Sequence, residues 1–141
     1  MIFPIFLLIS QVISTEIYVQ GSMKCNLNTE FSARLELVEE DSTYLSSDLI
    51  KSKYLGFKPS NVSHNFSIKG TFEGGDGIFD EEYEPLLIIH HSCMSTDNPD
   101  EIGNIYRRLK SVAISAPSAN FTGLTFKLDN RRDESLPVQM T

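Results

Sequence analysis

The sequence predicts an all-β protein, a β-sandwich of about seven short strands held by one disulfide. Three observations carry this reading. Period-two alternation of apolar and polar residues runs through most of the chain, turn-forming residues interrupt it at short intervals, and each of the two cysteines, Cys25 and Cys93, closes an apolar strand-like run. No segment shows a sustained helical repeat.

Residues 1–14 are uncharged and mostly apolar, and the first charge is Glu16. The stretch is too short for a membrane span, which needs about 20 apolar residues. It reads as a signal peptide cleaved after Ser14, with Val12 and Ser14 at the recognition positions, although it lacks the usual basic opening. Residues 15–130 are the length of one domain with one core, and residues 131–141 read as a polar tail that frays from Asp129 onward.

The first strand covers residues 17–25, with Ile17, Val19, Met23 and Cys25 on one face and Tyr18, Gln20, Ser22 and Lys24 on the other. Residues 31–38 alternate most cleanly, Phe31, Ala33, Leu35 and Leu37 against Ser32, Arg34 and Glu36. Residues 39–43 read as a solvated strand end, and residues 46–51 as a short strand or a single turn. Residues 65–69 form the next strand. The glycine-rich acidic stretch 73–84 is expected to be a loop. Its clustered carboxylates raise the question of calcium, but the spacing is not that of an EF-hand and a solvated loop is the simpler expectation. Residues 86–93 are a continuous apolar run, as expected of a central strand covered on both sides. Leu87, Ile89, His91 and Cys93 share one face, and Leu86, Ile88 and His90 the other. Residues 105–114 read as a strand with a basic outer face, and residues 121–128 as the last strand.

Of 141 residues, 12 are basic and 19 acidic, for a formal charge of −7. Without a concentrated cationic face, nucleic acid is not an expected partner. In an oxidising compartment two cysteines are expected to bond to each other, and closing so long a loop contributes roughly 4 kcal/mol in the chain-entropy model. The alternative is two buried free thiols. A zinc site drawing on His90, His91 and Cys93 lacks the four ligands a structural site needs, so no metal or other cofactor is expected. Three sequons begin at Asn61, Asn65 and Asn120 and fit an exterior destination, Asn61 and Asn120 being the better acceptors because Asn65 starts a strand.

Catalytic residues are not evident. No Gly-x-Ser-x-Gly elbow accompanies His64, His90 and His91, and Gly74-Gly-Asp-Gly77 precedes no helix pattern that would make it a phosphate loop. A strand histidine beside a cysteine is expected to be a packed, hydrogen-bonded residue.

Several segments, in order, resemble the nematode transthyretin-like family of small secreted proteins. They are Tyr18-Val-Gln-Gly-Ser-Met-Lys-Cys25, Ala33-Arg-Leu-Glu-Leu-Val-Glu-Glu-Asp41 and, most specifically, Glu84-Pro-Leu-Leu-Ile-Ile-His-His-Ser-Cys93, with weaker echoes at residues 47–50, 104–114 and 121–128. The resemblance implies a transthyretin-type sandwich, secretion or display at a cell surface, and a bond between Cys25 and Cys93. His91 falls on the family's histidine, and Ser92 stands where an aspartate is common. A second cysteine pair found in many members is absent. The related hydroxyisourate hydrolases need a histidine near the start of the first strand and a terminal Tyr-Arg-Gly-Ser segment, and this chain has neither.

The expected function is therefore a non-enzymatic extracellular binding or bridging module, with an extracellular protein or a lipid surface as partner. The competing expectation is a hydrophobic-ligand carrier or divergent hydrolase using a cleft near His90 or His91. A histidine facing a concave pocket favours the second, and a packed one the first.

Overall fold

The computed structural model describes residues 14–40, 47–74, 82–96, 98 and 100–132. These residues are all-β, without a helix, and carry two principal sheets. The first sheet has β1 (Ser14–Lys24) in the middle, antiparallel to β4 (His64–Glu73) and parallel to β9 (Ser118–Lys127). The second sheet runs β3 (Ser47–Lys58), β2 (Phe31–Glu40), β6 (Pro85–His91), β7 (Gly103–Arg108), antiparallel throughout. Two short strands, β5 (Glu82–Tyr83) and β8 (Val112–Ala113), pair with each other.

The alternating segments place their apolar residues on one side, as period two requires. Ile17, Val19, Met23 and Cys25 from β1 and its end are buried, as are Phe31, Ala33, Leu35 and Leu37 of β2. Together with Phe66, Ile68 and Phe72 of β4, Leu87 and Ile89 of β6, Ile105 of β7 and Phe126 of β9 they form one cluster shared by both sheets. Each of the larger ones, the valine, leucine, isoleucine, methionine and phenylalanine side chains, contributes about 1.5–3 kcal/mol on burial. The Cys25–Cys93 disulfide joins the end of β1 in one sheet to the residue following Ser92, just past β6, in the other, with an S–S bond of 2.04 Å and both cysteines fully buried. Strand β6 lies inside its sheet, as its unbroken apolar run predicts, with Leu86 and Ile88 buried or half-buried on its second face.

Several expectations are corrected. Of residues 46–51, expected as a short strand or a single turn, residue 46 lies outside the described residues and residues 47–51 open one long strand, Ser47–Lys58. Its alternation is hidden by two bulges, one between the partners of Leu37 and Val38 and one between those of Ser32 and Arg34, the latter containing Gly56 at φ 74°. Glu39 and Glu40 are not a solvated end. They belong to β2, Glu39 is 7% exposed, and Glu40 holds Arg108 of β7 in a two-point ion pair at 3.0 and 3.2 Å. Residues 105–114 are not one strand: after Arg108 the Leu109 amide turns back to the Pro85 carbonyl, and Val112 then pairs with Tyr83. Arg108 is on the outer face, as expected of a basic outer side, whereas Arg107 faces the other way and lies over the ring of buried Phe126 at 4.6 Å. Finally, residues 129–132 do not fray, as shown below.

The leader at residues 1–13 and the tail at residues 133–141 lie outside the described residues. Ser14, placed last in the leader, is the first residue of β1 and pairs with Glu73. Thr15, the expected mature amino terminus, is fully buried and donates its hydroxyl to the Ala116 carbonyl at 2.5 Å. Among the described residues no helix is long and apolar enough to cross a membrane.

Candidate functional site

Because side chains alternate along β6, its two histidines face opposite ways, His91 toward the shared core and His90 toward the outer face of the four-stranded sheet.

His91 is 1% exposed. Its Nδ1 accepts the Cys93 amide at 3.1 Å, which assigns the ring proton to Nε2, and Nε2 donates to the Arg131 carbonyl at 3.0 Å. Burial is the main cause that pushes its pKa down to about 4, against the opposing pull of the Arg131 carbonyl. The close approach depends on Gly103, the β7 partner of His91. A Cβ there would stand 2.4 Å from the Arg131 carbonyl oxygen and 2.6 Å from the imidazole.

The segment supplying that carbonyl is held at several points. Asp129 accepts the Asn26 amide at 2.6 Å, Asn130 accepts the Ser95 amide at 2.6 Å and donates its own to the Cys93 carbonyl at 3.0 Å, and Arg132 pairs with Glu101. Partial burial alone would raise the Asp129 carboxyl, but the Asn26 hydrogen bond and nearby Lys127 outweigh it and hold the carboxyl below its ordinary value. These polar residues tie down the segment beside the disulfide. They read in sequence as an anchorless tail because most of their partners are backbone groups distant in sequence.

On the outer face, strand register aligns Tyr54, Arg34, His90 and Asn104 in one row across all four strands. His90 Nδ1 lies 2.5 Å from Asn104 Oδ1, and its Nε2 lies 3.1 Å from Glu36 Oε1 without hydrogen-bond alignment. Arg34 reaches the same Glu36 oxygen at 3.0 Å. Beside this row is a shallow cleft of about 220 Å³, whose walls include Ala33, Tyr54, His90, Ser92 and Ile102. Tyr54 and Ile102 are 62% and 55% exposed. The bulges in β3 also bring Leu49 and Phe57 to this outer side, opposite Val38 and Ser32.

The residues weighed as a zinc group do not converge, because the two histidines diverge and Cys93 is bonded to Cys25. Asp129 lies within ligand distance of those two cysteines, but both sulfurs are consumed by the disulfide and offer no thiolate. The acidic stretch considered for calcium falls largely on residues 75–81, outside the described residues. Of its ends, Tyr83 is not loop but a fully buried strand residue whose ring meets Phe72 edge-on at 5.6 Å.

All three sequon asparagines are exposed. Asn61 sits in a turn at φ 62°, with its Nδ2 donating to Asn28 Oδ1 at 3.1 Å. Asn65 and Asn120 lie on β4 and β9, the two edge strands of the three-stranded sheet. Sequence reasoning missed Glu36, Asn104 and Gly103. The first two become partners of His90 only through strand register, and Gly103 was absorbed into a polar connector.

Compared with protein-family models, with curated proteins and with solved structures, the chain matches none.

Proposed function

We propose that this chain is a secreted, non-enzymatic binding or bridging module built as a transthyretin-type β-sandwich. The observation that carries the reading is the closure of His91, whose two ring nitrogens are both committed to backbone groups in the core. A general base needs a nitrogen within reach of a substrate proton, and this one has none to offer. The reading of two packed sheets is supported by the single cluster they share and by the disulfide between them. An immunoglobulin constant-type sandwich would place the second long strand in the same sheet as the first, whereas here β2 lies with β3 and β1 does not. That partition favours the transthyretin-type over the immunoglobulin-like version. The disulfide and three exposed sequon asparagines support an extracellular location.

A second reading rests on His90: both histidines border the cleft, but His91 is 1% exposed whereas His90 is half-buried. As a ligand-carrying pocket the cleft is small, since sites for drug-sized ligands span about 300–1,000 Å³. As a hydrolytic base His90 is flanked on both nitrogens by Asn104 and Glu36. Assaying the folded protein and its His90→Ala variant against a panel of activated esters and amides separates the two. The module reading expects no turnover above buffer from either protein. Turnover that disappears in a folded His90→Ala variant establishes the enzyme.

A further inference from the structure

We propose that the seam between the two sheets, on the side where β3 and β4 meet, is a binding site for an acidic polysaccharide. This rests on the extracellular-module reading and names a ligand class for it.

A cleft of about 760 Å³ runs along this seam, lined by Tyr18, Gln20, Lys51, Lys53, Tyr54 and Lys69 among others. Its lining holds three lysines and no carboxylate, in a chain whose acidic residues outnumber its basic ones by 19 to 12. The strand geometry makes this concentration. Lys51 and Lys53 pair with Leu37 and Leu35, so they occupy core-facing positions, but on an edge strand their stems run past the margin of the sheet. Lys53 crosses the seam and donates to the Ser67 carbonyl of β4 at 2.8 Å. From the opposite wall Lys69 extends over the ring of Tyr18 at 5.5 Å. Beside the lining, the Glu16 carboxylate accepts the Tyr18 hydroxyl at 2.7 Å and raises its pKa.

Exposed lysines on an edge strand commonly serve to discourage pairing with another strand, and the two bulges of β3 do the same. That argues against an extended peptide as occupant, since its main chain finds only a short regular stretch to pair with. It does not argue against a ligand recognised by side chains alone. The cleft offers separated ammonium groups for sulfates or carboxylates, a glutamine amide and serine hydroxyls for sugar hydroxyls, and tyrosine rings with flat apolar faces for the C–H faces of sugar rings. A spread of fixed cations that outnumbers the neighbouring carboxylate raises the local concentration of a flexible polyanion, and salt weakens the attraction.

The test is titration of the folded, disulfide-bonded protein with a size-defined heparin oligosaccharide at physiological salt. Wild type is expected to bind, and a neutral dextran of equal length is not. Lys51→Ala/Lys53→Ala/Lys69→Ala should weaken binding at least about threefold and up to about a hundredfold, since exposed ion pairs contribute roughly 1.4- to fivefold each. Removing three exposed lysines elsewhere, Lys24→Ala/Lys110→Ala/Lys127→Ala, should leave most of the affinity in place and separates site from net charge. Because the triple variant loses the Lys53 tie to β4, Lys51→Glu/Lys69→Glu provides a second test with that tie intact, and thermal unfolding checks both folds. The proposal is overturned if the oligosaccharide does not bind, if both triple variants lose affinity equally, or if dextran, polyglutamate or phosphatidylserine vesicles bind as well as heparin. Such a failure leaves the module reading standing, which falls instead to esterase turnover through His90.

Discussion

The Nε2 of His91 donates to the main-chain carbonyl of Arg131 across 40 residues of sequence. The bond joins the end of a central strand to the last described segment of the chain, beside the Cys25–Cys93 disulfide. It makes the strand histidine a structural clasp, and its consequences are measurable as stability.

The first is a dependence on pH. Burial holds His91 near pKa 4 in the folded protein, whereas an unfolded histidine titrates near 6.5. Between these values the unfolded chain binds a proton that the folded one does not, so the stability is fully present above about pH 6.5 and is lost progressively toward pH 4. The shift corresponds to about 3 kcal/mol at the acid end. Urea midpoints should fall across this window and fall less in His91→Asn. Equal pH slopes in the two proteins would contradict the clasp.

His91→Phe keeps the ring shape but leaves the Cys93 amide and Arg131 carbonyl without their partner. The expected loss is about 2–6 kcal/mol in denaturant unfolding, because each of the two stranded backbone groups costs roughly 1–3 kcal/mol. Gly103→Ala should cost about 1–3 kcal/mol from the opposite side, since its methyl enters the space that the imidazole and carbonyl occupy. A Gly103→Ala protein as stable as wild type would mean that the approach is looser than described.

Opening the disulfide should cost about 2–5 kcal/mol, as is typical of small secreted domains. Cys25→Ser and Cys93→Ser should each reduce secretion, and the double variant should be little worse than either, because one bond is lost in all three. A double variant much worse than both singles would show that the cysteines act separately.

The outer-face residues should behave oppositely. Tyr54→Ser and Phe57→Ser, at positions 62% and 68% exposed, should shift stability by no more than about 0.5 kcal/mol. A loss above 2 kcal/mol on thermal or urea unfolding would show that these rings are packed.

How much of this could be read beforehand follows from where each signal resides. In β2 the alternation from Phe31 to Leu37 states both the strand and its buried face, and the unbroken run from Leu86 to Ile89 states that β6 is central. Local pattern was sufficient there because the covered faces are continuous. In β3 it was insufficient, since bulges at Ile50 and Gly56 shift the phase and put Leu49, Tyr54 and Phe57 on one side. The arrangement of Glu36, His90 and Asn104 comes from register among three strands, which no single segment encodes. The Arg131 clasp was hidden for a different reason: a carbonyl acceptor carries no residue signature, and its one sequence trace is a glycine where the ring must pass.

The secreted-module proposal and the one disulfide that joins the two sheets covalently can be tested together. Peptide mapping without reduction, on protein expressed in eukaryotic cells and recovered from both medium and cell extract, tests them most directly. The account predicts that the chain is in the medium, begins near Thr15, and yields one linked peptide pair containing Cys25 and Cys93 with no free thiol. A chain retained inside the cell with both thiols free would contradict it.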